Sequence, residues 1–195
     1  MNDTSHLIDV NDSLLIVIDV QSAFLEKLPE AESAALVQRI CWLIEVSIRL
    51  SVPIVVTAED IPTLGDSVPQ IADSLPAGQV TFNKMTFGLA AQTDIMAAVE
   101  NTGRKSAILV GLETDVCVAH SALGLLQKGY RVVVVADATG SPESGHHFGL
   151  ARMRDAGVIV SSVKGLFYEW VPTVAENSAF METYREAFGD PGVVL

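Results

Sequence analysis

The sequence predicts a single three-layer α/β/α domain, a doubly wound, Rossmann-like sheet of about six mostly parallel strands. Three observations carry that prediction. Six short, β-branched apolar runs are spread along the chain, and most lack the polar alternation of a half-exposed strand, as strands covered on both faces do. Segments with helical periodicity fill the gaps between them. Gly or Pro stands where those periodic segments stop.

Leu14-Leu15-Ile16-Val17-Ile18 reads as the first strand. Residues 30–50 then place Ala34, Val37, Ile40, Cys41, Ile44 and Ile48 at three- and four-residue steps, a helix with one apolar face, and Pro53 prevents its continuation. Pro53-Ile54-Val55-Val56-Thr57 is the second strand. Residues 59–79 contain Pro62, Gly65, Pro69, Pro76 and Gly78, which leave room for one short helix near 68–74. This longest irregular connection is the expected lid or wall of a site. Val80-Thr81-Phe82 follows as the third strand, Leu89–Val99 as a helix ending before Gly103, and Ala107-Ile108-Leu109-Val110 as the fourth strand. Val116–Lys128 reads as a helix closed by Gly129, Val132-Val133-Val134-Val135 as the fifth strand, His146–Arg154 as a helix ending before Gly157, and Val158-Ile159-Val160 as the sixth strand. An aromatic helical stretch over 164–188 carries Phe167, Tyr168, Trp170, Phe180, Tyr184 and Phe188, with a break at Pro172. No repeat, linker or low-complexity tract divides the chain. Residues 1–195 are therefore expected to form one domain, with an N-terminal arm (1–12) and a C-terminal helical tail (164–195).

The composition narrows the function classes. The 195 residues include 24 acidic and 12 basic side chains, a formal net charge of −12, and 49% are apolar. That apolar content excludes disorder. The negative charge argues against nucleic acid and against an anionic membrane surface as partners. Two cysteines, Cys41 and Cys117, are too few for a disulfide scaffold and point to a reducing compartment. The first thirteen residues carry Asp3, Asp9 and Asp12 but no Lys or Arg, unlike a secretory leader, and Leu14–Ile18 is too short to span a bilayer. A cytoplasmic protein is expected.

In doubly wound sheets, ligands bind outside the carboxyl ends of the strands. Asp19 closes the first strand, Lys84 follows the third, Cys117 follows the fourth and Asp137 closes the fifth. The segment Val110-Gly111-Leu112-Glu113-Thr114-Asp115-Val116-Cys117-Val118 runs from strand through a tight turn into a helix. Thr114 or Asp115 is expected to cap that helix, placing Cys117 in its first turn. There the helix dipole and free N–H groups favour a thiolate and an oxyanion on an attached acyl group. The competing reading of Cys117 is an inert thiol in an Ala/Val-rich core segment. Asp19 is a candidate general base, its pKa raised by partial desolvation, or simply the start of a turn. Lys84 is either a solvated surface lysine or a buried cation holding both groups in place. Together the three make a nucleophile, a base and an electrostatic partner. Gln21, Phe24 and Phe87 are candidate pocket lining for substrate. Asp137 is expected to bond backbone N–H groups of its loop. His120, His146 and His147 are read as wall, surface or packing, and Cys41 as core.

Leu15-Ile16-Val17-Ile18-Asp19-Val20-Gln21, the isolated Lys84 before Thr86-Phe87, and Gly111-Leu112-Glu113-Thr114-Asp115-Val116-Cys117-Val118 resemble the isochorismatase-like cysteine hydrolase family, in order, over roughly residues 14–188. The likeness is greatest to isochorismatase domain-containing hydrolases of unassigned substrate. It implies a catalytic triad of Asp19, Lys84 and Cys117. It also implies a non-proline cis peptide at Leu112–Glu113, with the N–H groups of Glu113 and Cys117 holding an oxyanion. The implied activity is cleavage of a small amide- or ureide-type C–N bond through a Cys thioester, with no cofactor. Nicotinamidases of the family carry a metal-binding Asp-x-His with further His after the second strand. Residues 57–65 here contain no His, so no metal is expected. The aromatic tail is amphipathic enough for a subunit contact, or packs on its own sheet; a homo-oligomer acting on a small molecule is expected. The alternatives are a hydrolase-derived assembly or regulatory protein without turnover, and isochorismatase-type ether hydrolysis, whose enzymes typically lack the nucleophilic Cys. A flavodoxin-like or dinucleotide-binding module is disfavoured. The first strand leads into Asp19-Val20-Gln21-Ser22-Ala23-Phe24, which lacks the Gly-x-Gly-x-x-Gly phosphate cradle.

Overall fold

The computed structural model describes residues 6–184 and 191–195. Phe188 of the expected tail and residues 1–5 of the expected arm lie outside the described residues. The six expected strands are β1 (Ser13–Ile18), β2 (Ile54–Glu59), β3 (Thr81–Lys84), β4 (Ser106–Leu112), β5 (Arg131–Gly140) and β6 (Ile159–Ser161). They pair in parallel throughout, in the order β3-β2-β1-β4-β5-β6. Apart from β1, which ends at Ile18 with its apolar run, the strands run further at their carboxyl ends than the apolar runs alone indicate. β2 continues to Glu59 and β3 to Lys84, where these two residues stand opposite each other in register.

The helices described are α1 (Ser22–Leu25), α2 (Glu30–Arg49), α3 (Ile61–Leu64), α4 (Pro69–Ser74), α5 (Thr93–Asn101), α6 (Ala119–Gln127), α7 (Gly145–Asp155), α8 (Val163–Trp170) and α9 (Val174–Tyr184). Two one-turn helices, α1 and α3, go beyond the expected set, so residues 59–79 hold two short helices where one was expected. The helix expected over 89–99 begins as a 3-10 turn, Leu89–Ala91, before α5.

β1 explains why the runs do not alternate in polarity. Leu15 and Val17 enter one core with Leu36, Ile40, Leu43 and Trp42 of α2 and Phe167 of α8. Leu14, Ile16 and Ile18 enter the other, with Ile95 and Val99 of α5, Ala122 and Leu125 of α6 and Met153 of α7. Both faces of the sheet are therefore covered, which removes any place for a polar residue within the strand. The tail belongs to this same packing, since Phe180 of α9 lies 5.5 Å from the Phe167 ring. The described part of the arm, from His6, is tied down as well. The Ile8 N–H donates to Glu169 Oε2 at 2.7 Å, and Arg131 donates to the carbonyls of His6 and Leu7. Among the described residues no helix is long and apolar enough to cross a membrane.

The strand order places the topological switch between β1 and β4. From β1 the chain builds outward to β2 and β3, then returns to build β4, β5 and β6 on the opposite side. The loops leaving β1 and β4 diverge there and open a crevice at the carboxyl edge. Asp19 and the turn before Cys117 lie at that point.

Candidate active site

Asp19 follows β1 in the left-handed region, with φ 51°, a conformation Asp tolerates better than most side chains. Beside it, Gly111 of β4 has φ 115°, and a Cβ there would stand 1.9 Å from the Ile18 carbonyl oxygen. Only glycine lets the two strand ends approach this closely. The Asp19 N–H donates to the Thr57 carbonyl at 3.0 Å, which ties the turn to β2.

Asp19 and Lys84 are fully buried and Cys117 nearly so. Asp19 Oδ2 pairs with Lys84 Nζ at 2.9 Å, while Oδ1 accepts from the Thr57 hydroxyl at 2.9 Å. The Lys84 ammonium also donates to the Thr86 carbonyl at 2.8 Å and stands 3.6 Å from Cys117 Sγ. The structure thus brings together the three residues picked from strand ends in the sequence. It adds a fourth. Glu59 Oε2 accepts from the Cys117 thiol at 3.1 Å and lies 3.5 Å from Lys84 Nζ. Glu59 was read only as part of a loop, although it closes β2 just as Asp19 closes β1. The rule applied to Asp19 would have found it.

The electrostatics follow from burial. Desolvation raises the Asp19 pKa, more than Lys84 and the Thr57 hydroxyl lower it. For Lys84, desolvation works against the ammonium, but the charges of Asp19, Cys117 and Glu59 outweigh it and hold the pKa above its ordinary value. The Cys117 thiol is pushed well above its ordinary pKa, first by burial and then by the Asp19 charge, with Lys84 opposing. Burial thus works against the thiolate expected at a helix start, and the sulfur donates to Glu59 as a thiol.

The turn before Cys117 is built differently from the expected capped helix. Thr114–Val118 forms a π turn leading into α6, and neither Thr114 nor Asp115 caps it. The Glu113 carbonyl accepts the N–H groups of both Val116 and Val118. The Thr114 hydroxyl instead pairs with His146 Nδ1 at 2.9 Å, and Asp115 accepts from the Ser141 hydroxyl at 2.6 Å. Both side chains are spent on α7 and the loop before it. Gly149 makes this packing close, since a Cβ there would meet the Asp115 backbone at 2.8 Å. His146 is thus a packing residue, and burial lowers its pKa. The Leu112–Glu113 peptide is cis, and the Glu113 side chain pairs with Lys27 at 2.8 Å.

The three lining candidates fall in different places. Gln21 is fully buried and spends its amide on the connection after β2: Oε1 accepts the Glu59 N–H at 2.8 Å, and Nε2 donates to the carbonyls of Glu59 and Gly65 at 2.8 and 2.7 Å. It is a clamp on the backbone. Phe24 is buried in the core with the Lys27 ammonium over its ring. Phe87 is 55% exposed and stands edge-on to the exposed His120 ring. Asp137 lies within β5 rather than at its close, and it accepts the Val163 N–H at the start of α8 at 2.8 Å in place of the N–H groups of its own loop. Cys41 is half-buried on α2, far from the site in sequence and fold, and packs against the core.

Among the described residues, Asp19, Glu59 and Cys117 form one group of metal-ligating side chains, their donor atoms within 4.8 Å of one another. The Lys84 ammonium contacts all three, so the compensating positive charge is already part of the protein.

Comparison with known proteins gives the family and the fold relatives of the chain. The Isochorismatase domain family matches residues 13–165. A protein named secreted isochorismatase effector Isc1, from Phytophthora sojae, is 34% identical over 164 residues, covering 82% of this chain and 77% of its own. Among solved structures, the MAR1 ribonuclease of Caenorhabditis elegans superposes with a TM-score of 0.82 at 25% identity, over 97% of each chain. The Escherichia coli YcaC gene product, described as an octameric hydrolase of unknown specificity, superposes with a TM-score of 0.80 at 24% identity, over 94% of this chain and 95% of its own. The chain belongs to the isochorismatase domain family.

Proposed function

We propose that the protein is a cysteine hydrolase that cleaves a small amide- or ureide-type C–N bond through a thioester on Cys117. One observation carries the reading: a buried thiol at the switch point of the sheet lies against the ammonium of Lys84, which is itself paired with Asp19. Asp19 takes the thiol proton, and the sulfur attacks the acyl carbon as the carbonyl π electrons move to oxygen. The N–H groups of Glu113 and Cys117 receive that oxyanion. Collapse re-forms the carbonyl and breaks the C–N bond, and Asp19 returns its proton to the departing nitrogen. Asp19 then takes a proton from water, whose oxygen attacks the thioester. The C–S bond breaks, and the proton returns to sulfur as the carboxylic product leaves. Lys84 balances the negative charge as it passes between Asp19 and sulfur.

Neither a metal nor a cofactor enters this scheme, because the cation it needs is Lys84. The family's vinyl-ether hydrolysis would leave a positioned thiol without a task, and so would an assembly or regulatory protein without turnover. The resemblance to a protein named a ribonuclease raises RNA as a substrate. The net charge of −12 and the burial of the sulfur favour a small molecule instead. The octameric neighbour and the exposed Met85 and Phe87 support a homo-oligomer. The decisive experiment is a panel of small amides and ureides assayed with Cys117→Ala beside the wild type. Turnover should vanish in the variant together with covalent labelling by an electrophile; a variant as active as wild type would end the reading.

A further inference from the structure

Glu59 differs from its three neighbours in one respect. Its side chain is 20% exposed, whereas those of Asp19 and Lys84 are fully covered. It is therefore the charged group of the cluster most open to solvent. Its place is fixed: β2 pairs it with Lys84 of β3, and Gln21 holds both its N–H and its carbonyl. Its carboxylate is also committed to the sulfur, accepting the thiol at 3.1 Å.

Two consequences follow for anything that reaches Cys117. The cluster holds two carboxylates and one ammonium, so it has no positive charge to spare for an anionic substrate. An acyl carbon approaching the sulfur also displaces the thiol from Glu59, which leaves that carboxylate only the longer 3.5 Å contact with Lys84. An N–H of the substrate can take the place of the thiol.

We propose, resting on the hydrolase reading above, that Glu59 is the specificity-determining residue of this site. It selects acyl compounds that carry an N–H donor beside the scissile carbonyl, such as ureides and other carbamoyl compounds. It rejects those that carry a carboxylate there. Glu59 takes no covalent part; it accepts a hydrogen bond from the substrate while Asp19 moves the proton.

Two alkylating agents of nearly equal size test this without knowledge of the substrate. Iodoacetamide presents an N–H donor beside its carbonyl, and iodoacetate presents a negative charge. Labelling of Cys117 is followed by mass spectrometry of its peptide, separately from Cys41, and each rate is divided by the rate of the same reagent with free cysteine. In the wild type, iodoacetamide should be favoured by about tenfold or more, the scale of one uncompensated charge in a partly buried site. Glu59→Gln should bring the two reagents to within about threefold of each other, and Glu59→Asp should keep the preference. If Glu59→Gln does not fold, Glu59→Ala is read by the same ratio, and a preference undiminished in the variant overturns the proposal. The proposal is overturned if the wild type shows no preference. It is also overturned if Glu59→Gln slows both reagents equally, which would make Glu59 the base of the thiol. Cys117 inert to both reagents in the wild type would instead overturn the hydrolase reading, and this one with it.

Discussion

Burial and the neighbouring Asp19 carboxylate both push the Cys117 thiol towards its protonated form, and the Lys84 ammonium pulls the other way. Replacing Asp19 by Asn removes one upward push and leaves the pull, so the thiolate should form at lower pH. The pH profile of iodoacetamide labelling at Cys117 should therefore move down in Asp19→Asn. Turnover should fall about 10²–10⁴-fold, because the proton carrier is gone. Lys84→Met should move the same profile up. An Asp19→Asn profile that stays in place would show that the carboxylate does not control the thiol. These three residues were legible in the sequence because each stands at the carboxyl end of a strand or just beyond it. Glu59 stands at such an end too, but its partnership with Lys84 depends on the register of β2 against β3. Nothing in the local pattern shows that register. Gln21 was legible as a residue of the site and illegible in its role, because its three bonds reach across 38 to 44 residues of chain.

At the scale of elements, periodicity revealed what spans two or more turns of helix, and strand propensity revealed the six runs. The one-turn helices α1 and α3 offer no period to read. The turn before Cys117 shows the same limit, because a Thr or Asp ahead of a helix reads as a cap. Here α7 competes for both side chains and wins through His146 and Ser141. The connection after β2, which carries Glu59 and α3, depends in turn on the end of β1. Gln21→Ala would leave the Glu59 N–H and the carbonyls of Glu59 and Gly65 without their partner. We expect a loss of roughly 2–4 kcal/mol, given about 1–3 kcal/mol for each buried group left unpaired and some relaxation of the loop. Denaturant unfolding measures that loss. The same variant should lose turnover, since Glu59 would no longer be held against the sulfur. Wild-type stability and activity in Gln21→Ala would show the clamp to be idle.

For the whole molecule, the alternation of apolar runs and helical segments was enough to fix a doubly wound sheet, and with it the edge where chemistry sits. Assembly was less legible, because it depends on which apolar residues the finished fold leaves outside. β3 is an edge strand, flanked by Val80, 59% exposed, and Met85, 63% exposed, with Phe87 at 55% beyond it. An uncovered edge bordered by apolar side chains is a surface that soluble proteins usually protect. The homo-oligomer proposed above would cover it. Each copy also carries a formal charge of −12, so copies repel one another wherever apolar contact does not draw them together. The two contributions respond differently to salt. Between about 0.1 M and about 1 M salt the screening length falls from about 10 Å to about 3 Å, which weakens the repulsion and leaves apolar contact intact. Light scattering should therefore give a mass that is a multiple of the 20.8 kDa chain, and the assembly should tighten as salt rises. Replacing Met85 and Phe87 together by Ser should shift it towards single chains, with the fold unchanged. An assembly that loosens as salt rises would instead be held by ion pairs and would place the contact elsewhere on this acidic surface.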